Sequence, residues 1–258
     1  MTAWLDGALV ADAMAPRATS AAPGPFETMG ARRGEIASWD LHLARIGAAA
    51  RRLGLPFVPD AKLRAAATEL LLHNGHGDDV LRLSLVPAAG GAHTVLVSRA
   101  RGPALHVVRL LPTVVEPPAN EPPRDLKLWP RPFYDAVRQQ AQDGAADDGI
   151  VVAPDGAVLE TAVGNLWLRL DGVWTTPPLD GRVLPGIARA QVLAAARAQG
   201  LPVAERRCDL ADLHRAEALA HSNAVFGPRP AALLGVPLPT VPYVDTELWP
   251  LWRAAPRD

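Results

Sequence analysis

The sequence predicts an α+β fold in two parts, a small N-terminal α/β domain and a larger, β-rich C-terminal α/β domain. Three observations predict it. Two helix-spaced segments and three strand-like runs fall within the first ~110 residues, the content of a small α+β unit. Next comes PTVVEPPANEPPR (112–124), with five prolines in thirteen residues. After it the pattern changes to short strands between helices. The expected boundaries are residues 1–111, a linker at 112–124, and 125–258.

In chain order, DLHLARIGAAARRLG (40–54) has apolar residues at Leu43, Ile46, Ala50 and Leu53, which is helical spacing. Asp40 is its expected N-cap and Gly54 its stop. Asp60 to Gly75 reads as a second helix with a cap at each end. VLRLSLV (80–86), HTVLVSRA (93–100) and ALHVVRLL (104–111) read as strands, the last two joined by a turn at Gly102 and Pro103. The prolines of 112–124 are expected to forbid regular structure. A helix is predicted at 132–142, then strands in GIVVA, AVLE, NLWLRL and VWTT, with turns at APDGA and LDG. Further helices are expected over Gly186–Ala198 and roughly 209–219, and one short helix in a partly irregular tail.

Composition narrows the function. Formal net charge is -1, from 26 basic and 27 acidic residues, which argues against nucleic acid or an anionic membrane as the main partner. Cys208 is the single cysteine, so a disulfide framework within the chain is excluded. No apolar run reaches the ~18–20 residues of a membrane span. The opening MTAWLDGALVADAMAPR lacks the basic start and apolar core of a secretory signal, and a cytoplasmic location is expected. His73 and His76 lack companions for a ligand set, so no metal is expected.

Five local features carry chemistry. Lys127, in DLKLWPRPFYDAV, is one of only two lysines; Lys62 is the other. Basic positions are otherwise arginine, and only lysine can lose its proton on desolvation and attack a carbonyl. A solvated surface lysine is the ordinary alternative. Glu160 ends a strand and is followed by small residues and Asn165. It is either a strand-end acid in solvent or a carboxylate facing a protonated ring nitrogen. LPGIAR (184–189) opens a helix with free N–H groups, an anion site or simply a helix start. HSNAVFGPRPA (221–231) offers Ser222 and Asn223 to a phosphate, or makes a plain strand-to-turn transition. Arg45, beside the apolar face of the first helix, is a snorkelling arginine or a phosphate clamp.

The order FETM (26–29), HLARI (42–46), Lys127, DGAVLETAVGNLW (155–167), TTPPLDGRVLPGIAR (175–189) and SNAVFGPRPA (222–231) resembles the class IV aminotransferase-like, fold-type IV enzymes that use pyridoxal 5'-phosphate. The resemblance covers nearly the whole chain. It implies the two-domain fold of the D-amino-acid aminotransferases, a homodimer, and a Schiff base on Lys127, which also shuttles protons. It gives Glu160 to the pyridine nitrogen. Arg45, Asn165, Gly186, Ile187, Ala188, Ser222, Asn223 and Ala224 become cofactor-binding residues. Where Ala188 stands the family often has threonine.

Within the family the sequence looks most like the 4-amino-4-deoxychorismate lyases of folate precursor synthesis. The chain is short, SNAVFGPRPA resembles the lyase loop, and Arg131, Tyr134, Asp135 and Ala136 follow Lys127 at lyase-like spacing. The implied substrate is a small-molecule amine. A class IV aminotransferase acting on D- or branched-chain amino acids, and a silent homologue that binds the cofactor, are the alternatives. The departures are Gly30, where an arginine is usual, VPAAGG (86–91) in place of an Arg-Gly motif, and APGP (22–25) in place of Gly-Asp-Gly. All lie on the side that resemblance gives to the substrate. Arg32, Arg33, Arg82, Arg131 and Tyr134 are the candidates for contacting it.

Overall fold

The computed structural model describes residues 1–19, 21–57, 61–235 and 247–255. Strands β1 (Thr2–Leu5), β2 (Ala8–Ala11), β3 (Gly24–Arg32) and β4 (Glu35–Ile36) precede helices α1 (Trp39–Arg52) and α2 (Ala61–Asn74). Next come β5 (Asp78–Ala88), β6 (Gly91–Ala100), β7 (Val108–Val114), β8 (Leu128–Trp129), α3 (Pro132–Asp143), β9 (Asp148–Val152) and β10 (Ala157–Thr161). The chain continues through β11 (Asn165–Leu170), β12 (Val173–Thr176), α4 (Ile187–Ala198), β13 (Val203–Glu205), β14 (Cys208–Asp209) and α5 (Leu210–Arg215). It closes with β15 (Ala218–Asn223), β16 (Gly227–Leu233) and α6 (Leu248–Ala254).

Two units result. The first holds Met1–Pro103 with Leu126–Pro130. Its sheet runs β2-β1-β6-β5-β3-β4, antiparallel throughout, and β8 pairs with β3. The alternation in VLRLSLV decides its faces. Leu81, Leu83 and Leu85 are fully buried, packing with Ile46 of α1 and Leu70 of α2. Arg82 and Ser84 point to the other face. Each such leucine removed from water contributes roughly 1.5–3 kcal/mol.

The second unit holds Ala104–Asp125 and the chain from Arg131 onward. Its sheet runs β13-β12-β11-β15-β16-β7-β9-β10-β14. Parallel pairs are β12/β13, β16/β7 and β7/β9. All five residues of β9 are buried, which explains the apolar run Ile150–Val152 that follows its buried Asp148. Trp167 and Ala220 pack against Val192 of α4 and Trp252 of α6, while Leu166 and Leu168 line a separate cluster with Leu110 and Ile150.

Several expectations change. The run expected to follow β6 across the turn at Gly102 and Pro103 becomes β7, which starts at Val108 and lies between β16 and β9 in the other sheet. The linker expected at 112–124 begins inside that strand. Pro112 pairs with Ile150, and the β16 pairing has already ended at Leu110. Its missing N–H therefore breaks no ladder on that side. Residues 126–130 group with the first unit, not the second, because β8 pairs with Gly24 and Pro25 of β3. The N-cap of α1 is Ser38, with a left-handed backbone, and Asp40 sits in the first turn. The Asp60 cap lies outside the described residues. Helix α5 stops at Arg215, short of 219, since Ala218 enters β15. The hairpin β1–β2 was not foreseen; Asp6 and Gly7 take positive φ at its turn.

Candidate active site

In the second unit a buried carboxylate organises a loop, a strand and a helix start. Glu160 is the last residue but one of β10 and is 3% exposed. Tyr134 Oη donates to its Oε1 at 2.5 Å. Asn165 Nδ2 donates to Oε2 at 3.3 Å, and Leu184 N–H approaches both oxygens at 3.2 and 3.1 Å. Burial, then the neighbouring carboxylate and the bond to it, push the Tyr134 phenol well above its ordinary range. Tyr134 therefore stays a neutral donor, with the Arg131 guanidinium 4.1 Å from its ring centre.

Asn165 links this carboxylate to the helix α4. Its Nδ2 also donates to Leu184 O at 2.9 Å. Its Oδ1 lies where a side chain on Gly186 would go; an added Cβ would come within 1.8 Å. Gly186 is the N-cap of α4, and no side chain caps it. The first intrahelical bond is Ala190 N to Gly186 O, so the N–H groups of Ile187, Ala188 and Arg189 precede it. Ser222 pairs with Asn165 across β15 and β11, and its Oγ accepts from Trp167 Nε1 at 2.9 Å. Asn223 Oδ1 accepts from Val225 and Phe226 N–H, closing the turn that carries Ala224.

The first unit holds a second cluster. Lys127 O accepts from Phe26 N–H at 2.9 Å, and Lys127 Nζ lies 4.6 Å from the Phe26 ring centre. The Arg82 guanidinium lies 4.0 Å from the same ring and 4.6 Å from that of Trp129. Arg82, Thr28 and Trp129 line a cavity of about 410 Å³ on the sheet face away from α1 and α2. On the helix side, Arg45 grips Glu27 with Nε to Oε1 at 2.7 Å and Nη2 to Oε2 at 2.6 Å. His42 Nδ1 meets Oε2 at 2.6 Å. Burial alone would raise the Glu27 carboxyl, but Arg45 and His42 outweigh it and hold it at about 2. Burial keeps His42 below its ordinary value, partly offset by Glu27.

The sequence profile of the amino-transferase class IV family matches residues 24–234. The chain belongs to that family. Class IV enzymes depend on pyridoxal phosphate. Rat mitochondrial branched-chain-amino-acid aminotransferase is 36% identical over 99 residues, which are 36% of this chain and 25% of that relative. The match thus spans about a quarter of that curated relative's length. A hypothetical aminotransferase from Mycobacterium tuberculosis, solved in a form with the cofactor bound, superposes with a TM-score of 0.80. It is 22% identical and covers 98% of each chain. A Legionella pneumophila protein provisionally named 4-amino-4-deoxychorismate lyase gives a TM-score of 0.75 at 22% identity, over 87% of this chain and 89% of its own. Both structural likenesses are of fold.

The residues of this class IV chain suit the cofactor. A twelve-residue helix starting without a side-chain cap offers N–H groups to an anion. Bound to that start through Asn165 and Leu184 is a buried carboxylate, the complement of a protonated ring nitrogen. Of the residues expected from sequence, Glu160, Asn165, Gly186, Ile187, Ala188 and Ser222 are brought together, and Tyr134 joins them through its hydroxyl. Lys127 and Arg82 share Phe26. Arg32 does not join them: it is exposed at the end of β3, six residues from Phe26, which is about 20 Å of strand. Arg33 follows it, exposed and at positive φ. Phe26, Glu27, His42 and Trp129 carry no separate signal in the sequence, although FETM, HLARI and the Lys127 segment contain them. Among the described residues no group of three or more ligating side chains could hold a metal.

Proposed function

We propose that this chain is a pyridoxal-phosphate-dependent 4-amino-4-deoxychorismate lyase, releasing pyruvate and 4-aminobenzoate. The observation that carries the lyase reading is Arg82, stacked on Phe26 and Trp129 beside Lys127. A planar cation on aromatic walls suits a cyclic amine bearing carboxylates better than a branched aliphatic side chain.

When bound, pyridoxal phosphate supplies an electron sink for the carbon that carries the amine. Lys127 would hold it covalently and, when free, would be the base that takes the proton from that carbon. The ring's C–O bond to the enolpyruvyl group would break with its electron pair leaving on oxygen, the departing enolpyruvate would take up a proton and leave as pyruvate, and the ring would become aromatic. Glu160 would pair with the protonated ring nitrogen, and Tyr134, Asn165 and Leu184 N–H hold Glu160 in place. The N–H groups of Ile187 and Ala188, with Ser222, Asn223, Ala224 and Arg45, bind the phosphate. Arg82 binds a substrate carboxylate. The working form is a homodimer.

A second reading, an aminotransferase, is favoured by the branched-chain aminotransferase relatives. It shares proton removal by Lys127 and differs in where the proton returns. One series of assays separates them. The purified protein should be yellow, and borohydride followed by peptide mapping should place the label on Lys127. With the chorismate-derived amine it should release pyruvate and show no transamination of D- or L-amino acids with 2-oxoglutarate. The reverse pattern establishes the aminotransferase. Protein that stays colourless with added cofactor refutes both.

A further inference from the structure

The turn Thr161–Gly164 separates Glu160 from Asn165 and is tied from behind to the start of β9. Thr161 N–H and hydroxyl both donate to Gly164 O, at 2.8 and 3.0 Å. Ala162 N–H donates to Gly149 O at 3.1 Å, and Val163 N–H to Asp148 Oδ2 at 3.3 Å. Asp148 Oδ1 accepts from Gly149 N–H at 3.0 Å. Asp148 is 2% exposed and His221 is fully buried. His221 Nε2 sits 3.6 Å from the Asp148 oxygen that receives Val163, too far for a hydrogen bond, and has no hydrogen-bond partner. The ring backs directly onto the turn: a Cβ on Gly164 would meet His221 Nε2 and Ser222 O at 2.5 Å.

The third member fixes the direction of this chain of groups. Arg229 Nη2 lies 3.4 Å from His221 Nδ1. A guanidinium only donates, so Nδ1 is the acceptor and the proton of a neutral ring sits on Nε2, the nitrogen near Asp148. Burial and then the Arg229 charge push the His221 pKa down to about 3, so the ring is neutral at physiological pH. Burial raises the Asp148 carboxyl. The Glu160 cage does not use these groups.

We propose that Asp148 and His221, with Arg229 behind them, are positioning residues that hold the Thr161–Gly164 turn and so set the placing of Glu160 against Asn165. The ring fills the space under Gly164, and its Nε2–H faces the oxygen that anchors Val163. The consequence for cofactor binding rests on the role proposed for Glu160.

The test compares His221→Leu, His221→Gln and Asp148→Asn with the parent protein, each at full length. Glutamine places an amide N–H near the position of Nε2, whereas leucine keeps the volume without the donor. Hydrogen exchange of residues 161–165 should rise about tenfold in His221→Leu, which takes away the acceptor of Arg229 Nη2 and the polar N–H facing Asp148, and return towards the parent in His221→Gln. The dissociation constant of the cofactor, followed by the visible band of the holoenzyme, should rise about tenfold in His221→Leu and return towards the parent value in His221→Gln. Should His221→Leu not fold, Asp148→Asn carries the same two readouts. Unchanged exchange at 161–165 in a folded variant, or failure of glutamine to restore it, overturns the proposal. Faster exchange with unaltered cofactor affinity, or in a parent that takes up no cofactor, leaves the pinning of the turn intact and removes the role of Glu160.

Discussion

Replacing Glu27 by glutamine is the most demanding test of the first unit. Glu27 is 1% exposed, and both its oxygens are engaged, by the Arg45 fork and by His42. Its fall from 4.5 to about 2 corresponds to about 3 kcal/mol of stability at pH 7. Breaking a buried ion pair by removing one partner costs a similar amount, about 3–5 kcal/mol. The amide also turns an NH₂ group towards donors, so Glu27→Gln is expected to lose about 3 kcal/mol in urea unfolding at pH 7. A depressed carboxyl pKa contributes its stabilisation above the unfolded value near 4.5 and loses it as pH falls towards 2. The difference between parent and variant should therefore shrink to roughly half by pH 3. The comparison is repeated in a His42→Gln background, where no imidazole titrates beside residue 27. A second arm, the cycle with Arg45→Met, should show strong non-additivity, with a coupling of about 1–3 kcal/mol. A loss below about 1 kcal/mol at pH 7, or additivity with Arg45→Met, would refute the reasoning.

Three further outcomes follow from the geometry. Tyr134→Phe removes the 2.5 Å donor to Glu160, and titration of the apoprotein should show cofactor affinity reduced about tenfold, with the melting temperature lowered by several degrees. Gly186→Ala drives a methyl into Asn165 Oδ1, so cofactor affinity should fall more than about tenfold and Asn165 should move in a crystal structure of the variant. Arg82→Met should raise KM for a carboxylate-bearing amine by about 10- to 100-fold with kcat changed far less, and an equal loss in kcat would place Arg82 in the chemical step instead.

Much of the site was legible because it is local. Glu160, Asn165 and the Leu-Pro-Gly-Ile helix start lie within thirty residues, and short loops bring such neighbours together. Lys127 stood out by scarcity in an arginine-rich chain. What could not be read was which partner each long side chain would take. The sequence offers Arg45 as a snorkelling or phosphate-binding residue and does not show that its Nε and Nη2 also close on Glu27, eighteen residues earlier. Tyr134 was expected among the substrate contacts, yet its hydroxyl serves Glu160, twenty-six residues later. Periodicity placed most strands and helices, but not their sheets. The run 108–114 looks like any apolar strand, and only its pairing with β16 and β9 assigns it to the second unit.

By itself the sequence determined the α+β class, the helices α1–α4 to within a few residues, and the ordered motifs of the class IV family. These depend on alternation, caps and short-range spacing, which are properties of neighbouring residues. The tertiary structure alone decided that 126–130 pair with β3, that Phe26 brings Lys127 and Arg82 to one ring, and that Asp148, His221 and Arg229 converge behind the turn at Gly164. Such contacts join residues up to about a hundred positions apart, and their closure is governed by burial and hydrogen-bond satisfaction across the whole unit, not by local propensity.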